Sequence, residues 1–311
     1  MNQIYRKRPF WSLAGPLLGY LVIRGAIQFV IQLGIEIPYV MQIYSDMVNG
    51  VIEPTMEAVT EAYINVLGPA FESLVRYQVE IASAASLGTL ALTGVLFSGD
   101  RKLEKKYGIP PAVKAPASKY WTILVFGAVG SIAATCLMAM AQMAFYDIRY
   151  EQAAESMYAA SLPVQIIGLG IIIPLAEEMM FRGIMYKRYR ERQGFWYSAI
   201  WSSVFFSMMH TSMTQVIYTF CLGLMLSYLY EKFGTIKAPV LLHAVMNICS
   251  LVFTELGVFA WLGSDAFRLG VGNCRSICLF SGVCCDSENT GTGKRESSGG
   301  KEQYARYVPL K

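Results

Sequence analysis

Histidine is the scarcest chemistry-bearing residue of this chain, with two copies in 311 residues, His210 and His243. Charge is scarce as well: Asp, Glu, Lys and Arg make up 15% of the sequence, against roughly 25% in an ordinary soluble domain. That shortage argues against a free-standing water-soluble fold. No basic stripe with interleaved aromatics occurs, and the net charge of +4 is divided between segments, so a nucleic-acid partner is not expected. The seven cysteines are an odd number. Cys136, Cys221 and Cys249 stand alone in apolar stretches, where a thiol behaves as a small hydrophobe. Cys274, Cys278, Cys284 and Cys285 crowd the tail, at spacings that match no zinc pattern and define no disulfide framework. No small-residue cleavage site follows the first apolar run, so a cleavable signal peptide is not expected. No repeat relates the two halves, which weighs against the common transporter architectures.

What is abundant is grease. Hydrophobic residues are 54% of the chain, and the mean hydropathy is +0.40. Runs near the ~20 residues needed to cross a bilayer fall at 10 to 35, 79 to 98, 120 to 146, 162 to 185, 195 to 212, 214 to 231 and 238 to 262. The expected fold class is therefore all-α, a polytopic transmembrane bundle of about seven spans. Pro16, Arg24, Gln28 and Gln32 interrupt the first run and predict a kink or a partly interfacial helix.

The connections alternate in sign. Basic clusters occur at Arg6, Lys7 and Arg8, from Arg101 through Lys119, and from Lys187 through Arg192; the alternate connections carry Asp46, Glu53, Glu57, Glu61 and Glu72, and then Asp147, Glu151 and Glu155. The positive-inside rule places the basic set, and the N-terminus, in the cytoplasm of a multi-pass cell-membrane protein. After Pro54, Met56, Val59, Tyr63, Val66, Leu67, Ala70 and Leu74 recur at helical spacing, which predicts a helix lying on the outer membrane face. Residues 286 to 306, rich in Gly, Ser, Asn, Lys and Arg, read as disordered.

Against this background, ionisable residues inside the greasy runs are functional candidates, because a charge in hydrocarbon costs several kcal/mol. Glu177 and Glu178 stand together in Pro174-Leu175-Ala176-Glu177-Glu178-Met179-Met180-Phe181-Arg182. Residues four apart share a helix face, so Glu178 can pair with Arg182 while Glu177, turned about 100° away, stays free for the bundle interior. A lone Glu-Arg pair of this kind is more often a structural tie than a catalytic group. Phe206 precedes His210 by one turn, and His243 precedes Asn247 by one turn. At about 1.5 Å per residue, Glu177, His243 and Asn247 lie roughly 9 to 15 Å from the basic edge and His210 about 20 Å, so all four can meet in one polar cavity near the membrane centre.

Glu-Glu-x-x-x-Arg, Phe-x-x-x-His and His-x-x-x-Asn, in this order on successive membrane helices, resemble the CPBP family, which comprises the CAAX-protease and bacteriocin-processing membrane endopeptidases and includes the type II prenyl-protein protease. The resemblance covers about residues 162 to 250. It divides the chain into N-terminal spans with the amphipathic outer connection (1–119), a catalytic CPBP-like core (120–263) and a tail (264–311). It implies an intramembrane endopeptidase that hydrolyses a peptide bond near the membrane, with Glu177 as general base, His210 as its partner on the attacking water, and His243 and Asn247 as oxyanion donors. Glu178 and Arg182 are then the structural pair. A desolvated carboxylate suits a base, and each oxyanion donor typically contributes about 3 to 4 kcal/mol.

The resemblance favours a mechanism without a metal or other cofactor. The competing chemistry is zinc held by Glu177, His210 and His243; against it, no His-Glu-x-x-His pairing exists, and Asn247 is a poor zinc ligand. The expected partners are a membrane-associated peptide or protein substrate and the lipid bilayer. The rival reading is a non-catalytic membrane scaffold, chaperone or proton-coupled transporter on the same bundle.

Overall fold

The computed structural model describes residues 10–264. The basic head, the tail from residue 265 and its four cysteines lie outside the described residues.

Among the described residues, and besides a 3-10 turn at Ala117–Lys119, ten helices follow one another: α1 Trp11–Val48, α2 Met56–Arg76, α3 Gln78–Lys106, α4 Tyr120–Ala144, α5 Ile148–Tyr158, α6 Leu162–Arg190, α7 Phe195–Ser207, α8 Met213–Phe233, α9 Lys237–Glu255 and α10 Val258–Gly263. There is no strand among the described residues. The fold is the helical membrane bundle that composition and periodicity predict. Helix ends follow local chemistry. Thr55 caps α2 by accepting from the Ala58 N–H at 3.3 Å, and Ser212 caps α8 by accepting from the Gln215 N–H at 3.2 Å. Gly234 closes α8 at φ 64°, where a Cβ would meet the Val113 carbonyl oxygen at 2.3 Å, so only glycine fits.

Six helices among the described residues are long and apolar enough to cross a membrane: α1, α3, the stretch Ala117–Gln142 that contains most of α4, α6, α8 and α9. The seventh span expected at 195 to 212 is different. Its helix, α7, has 13 residues and is about 20 Å long, short of the ~30 Å hydrocarbon core. Residues 208–212 continue it without helical backbone. The first span also departs from expectation, since α1 runs on past Pro38 to Val48 for 38 residues. The helix predicted after Pro54 is α2. It folds back along α1, with the Tyr39 and Ser73 hydroxyls 2.8 Å apart.

Bundle exteriors are apolar: Leu18, Phe29, Val95, Leu124 and Ile217 are exposed. Small hydroxyl residues face inward instead, including Ser86, Thr89, Ser198, Ser202 and Ser227, all fully buried. Membrane helices pack this way because small side chains let backbones approach. Gly223 on α8 shows the effect, since a Cβ there would lie 2.7 Å from Ser203 Cβ of α7.

The basic ends of the helices are tied together. Arg188 donates to both carboxylate oxygens of Asp100 at 2.8 and 3.1 Å and to the Ser12 carbonyl at 2.6 Å. Arg190 pairs with Glu231 at 3.0 Å, and the Tyr186 hydroxyl donates to the same carboxylate at 2.6 Å. These contacts fix α6 against α1, α3 and α8, and so set the height at which the glutamates of α6 meet the neighbouring helices.

Candidate active site

Helix α6 is not a regular α-helix. It widens to π-helical geometry at Gly168–Ile172 and again at Met179–Tyr186, leaving a six-residue α segment, Ile173–Glu178, that carries both glutamates. Pro174 explains a consequence of the first widening. The Ile173 N–H bonds the Gly168 carbonyl, five residues back. In that register the Leu169 carbonyl should receive the N–H of residue 174, and proline has none. The carboxamide of Asn247 supplies the missing donor, with Nδ2 2.8 Å from the Leu169 oxygen. Asn247 is thus held by a backbone defect on a neighbouring helix, and its second N–H is left to serve another acceptor.

The two glutamates divide as their helical positions dictate. Glu178 is fully buried, and its Oε1 accepts from Arg182 Nη1 at 2.8 Å. Arg182, also fully buried, donates a second bond to the Gly223 carbonyl at 3.1 Å. Gly223 can approach so closely because it has no side chain. The guanidinium lies 4.5 Å from the Phe206 ring centroid, a cation–π contact that offsets part of its lost hydration.

Glu177 is buried on the neighbouring face, with 7% of its surface exposed. Its Oε2 is 4.0 Å from His243 Nε2. That separation is too long for a direct hydrogen bond, and it suits one water molecule bonded to both. His243 Nδ1 lies 2.9 Å from Glu178 Oε1. The imidazole therefore stands between the two carboxylates, pinned by one and facing the other. Since Glu178 is the acceptor side of its pair with Arg182, the Nδ1 position carries the proton. Neutral His243 then presents a lone pair at Nε2, and it donates from Nε2 only as the imidazolium.

His210 sits on the unwound segment after α7, where its own N–H bonds the Ser207 carbonyl at 3.1 Å. Its ring is within electrostatic reach of Glu177 and His243. Non-helical backbone at this depth is tolerated in membranes where it faces protein or a polar cavity. Phe206 organises both imidazoles. Its ring meets His210 edge-on at 5.5 Å and His243 at 5.8 Å, with an interplanar angle of 89° to the latter. Beneath it, Tyr20, Met180, Phe181, Ile184 and Met185 form a closed apolar floor.

The structure thus brings Glu177, Glu178, Arg182 and His243 into one connected group, with His210 beside it on Phe206. Asn247, one turn from His243, is anchored to Leu169. The Nδ1 bond from His243 to Glu178, the Leu169 carbonyl and the supporting role of Phe206 are additions that the motifs do not spell out. Tyr20 is another: it is fully buried on α1, edges onto Phe181 at 6.1 Å and lies within electrostatic reach of Glu177. Arg24, which interrupts the first apolar run, reaches the Tyr20 hydroxyl at 3.4 Å. No three His, Cys, Asp or Glu side chains are grouped as metal ligands among the described residues.

Residues 159–249, which run from the end of α5 into α9, match the family of Rce1-like type II CAAX prenyl endopeptidases. All seven motif residues fall inside that stretch. The chain is also similar to the "Putative membrane peptidase YdiL" of Bacillus subtilis (strain 168), with 29% identity over 87 residues. That alignment covers 28% of this chain and 36% of the relative, so the chain matches about a third of the relative's length. No solved structure matches the chain.

Proposed function

Because residues 159–249 carry this CPBP-type, Rce1-like signature, we propose that the chain is an intramembrane endopeptidase. It hydrolyses a peptide bond of a membrane-associated peptide or protein close to the bilayer. One observation carries the reading: a buried carboxylate, Glu177, faces an imidazole nitrogen across 4.0 Å, and a second carboxylate fixes that imidazole from behind. A scaffold has no need of a free acid opposite an oriented ring.

In the proposed reaction, Glu177 takes a proton from a water held with His210 and His243. The water oxygen forms the new bond to the scissile carbonyl carbon, and the carbonyl oxygen becomes an oxyanion. His243, as an imidazolium balanced by the two carboxylates, and the free N–H of Asn247 stabilise that charge. The C–N bond then breaks, and the proton on Glu177 passes to the leaving amine. One water is consumed, and one acid and one amine are released. Glu178 and Arg182 hold His243 in register and take no part in proton transfer. The basic helix ends, and the N-terminus with them, face the cytoplasm in this reading. Glu177 lies about 20 Å from either end of α6, at mid-membrane depth.

No metal enters the proposed step. Detergent-purified protein, assayed on a panel of membrane peptides with and without chelator, tests this. Cleavage that survives the chelator and disappears in His210→Ala is the expected result. Cleavage lost with the chelator and restored by zinc transfers Glu177, His210 and His243 to a ligand role.

A further inference from the structure

His210 is the one proposed active-site side chain that stands on irregular backbone, so something must hold it. Packing is thin there: Met208 and Met213 are 68% and 71% exposed. A groove of about 970 Å³ runs alongside, lined by Thr211 and Met213 on one flank and by Met138 and Ala141 of α4 on another. The segment 208–212 therefore has one open flank, while on the other Met209 and His210 pack against the Phe206 cluster.

The fixing comes from Asp147, in the short connection between α4 and α5. Its Oδ2 accepts from the Ser212 hydroxyl at 2.8 Å, from the Thr214 N–H at 3.2 Å and from the Thr214 hydroxyl at 3.2 Å. Its Oδ1 accepts from the N–H groups of Arg149 and Tyr150 at 3.1 and 3.4 Å. A single carboxylate thereby caps two helices, α5 and α8, with its negative charge at both N-termini. The backbone of Asp147 is itself gripped by Gln142 of α4, whose amide donates to the Asp147 carbonyl at 3.0 Å and accepts from its N–H at 3.2 Å. Ser212 is fully buried and lies two residues from His210.

We propose that Asp147 is a positioning residue for His210: by locking Ser212 and Thr214 to the α4–α5 corner, it sets the place of the unwound segment and of the imidazole it carries. The proposal rests on the hydrolytic reading only for its catalytic consequence. Asp147 lies outside the stretch that matches the family. The clamp is one-sided, since His243 is held separately by Glu178.

The chain's two histidines make a direct test available. Full-length protein labelled with isotopic histidine gives two side-chain resonance sets, assigned with a His210→Asn variant. In Asp147→Ala the His210 resonances are expected to shift or broaden while those of His243 stay in place. The cleavage kcat should fall about 100-fold, with KM changed by no more than about twofold. Thr214→Val, which removes one donor and leaves the carboxylate, should move the same His210 signals by less. Asp147→Asn should retain part of the activity through its remaining acceptor oxygen.

Unmoved His210 resonances in Asp147→Ala overturn the proposal. So does joint displacement of both histidines in Thr214→Val, which would mean general loosening instead of local positioning. Absence of cleavage by the wild-type protein would sink the hydrolytic reading and leave the resonance comparison to decide the role of Asp147.

Discussion

Replacing Glu178 by Gln isolates the structural half of the glutamate pair. Arg182 is wholly buried, and its partners are Glu178, the Gly223 carbonyl and the face of Phe206. Removing one partner of a buried ion pair strands the other charge, at a cost of about 3 to 5 kcal/mol. The glutamine amide keeps the shape but not the charge. Arg182 and His243 Nδ1 share one oxygen, Glu178 Oε1, so a glutamine carbonyl can still accept from both, and what the variant removes is the negative charge that balances the buried guanidinium. The thermal midpoint in detergent should fall on the order of 10 °C. Glu178→Leu combined with Arg182→Met removes both charges and should recover most of that loss. It should not recover cleavage, because His243 has lost the acceptor that orients it. A Glu178→Gln protein as stable as wild type would refute the burial argument. A charge-free double variant that cleaves normally would refute the orienting role.

Three further outcomes follow from the same geometry. Asn247→Ala removes both the Leu169 tether and a proposed oxyanion donor, and steady-state assays should show kcat lower by about 100- to 1,000-fold with little change in KM. Gly223→Val places a side chain where even a Cβ would lie 2.7 Å from Ser203 Cβ and 3.1 Å from Arg182 Nη2. Thermal unfolding should register a loss of about 1 to 3 kcal/mol from overpacking. The Ser212 hydroxyl and the Thr214 N–H hold the Asp147 carboxyl down to about 2, below its ordinary 3.8. A depressed acid stabilises the fold above its ordinary value and loses that contribution as pH falls through the lowered one. Hydrogen exchange across 209–215 should therefore remain protected near pH 4 and open only toward about pH 2. Opening already at about pH 5 would contradict the clamp.

Much of the bundle is legible in the sequence because apolar run length and the alternation of basic and acidic connections report directly on membrane-crossing helices. The break at Ser207 is not legible. Met208 and Met209 keep the hydropathy of the run high, while the backbone turns irregular to bring His210 beside Phe206. The length of α1 escapes for the opposite reason: the apolar run ends near residue 35, yet the helix continues through Pro38 to Val48 beside α2. Within the site, four-residue spacing on one helix suffices to foresee Glu178 with Arg182. The bond from His243 to Glu178 joins residues 65 apart in sequence, and no local period encodes it. Asn247 is an intermediate case. Pro174 marks a lost donor in the sequence, but the carbonyl it orphans is identified only once the π register of α6 is known. Asp147 reads as an ordinary acidic loop residue, because its partners Ser212 and Thr214 come from a distant helix start.

In the proposed hydrolysis Glu177 supplies the base. The most direct measurement is cleavage of a membrane peptide by Glu177→Gln, which keeps the side-chain shape and removes its basicity, alongside its thermal midpoint. No detectable turnover and a midpoint close to that of wild type are expected. Turnover retained in Glu177→Gln would contradict that role.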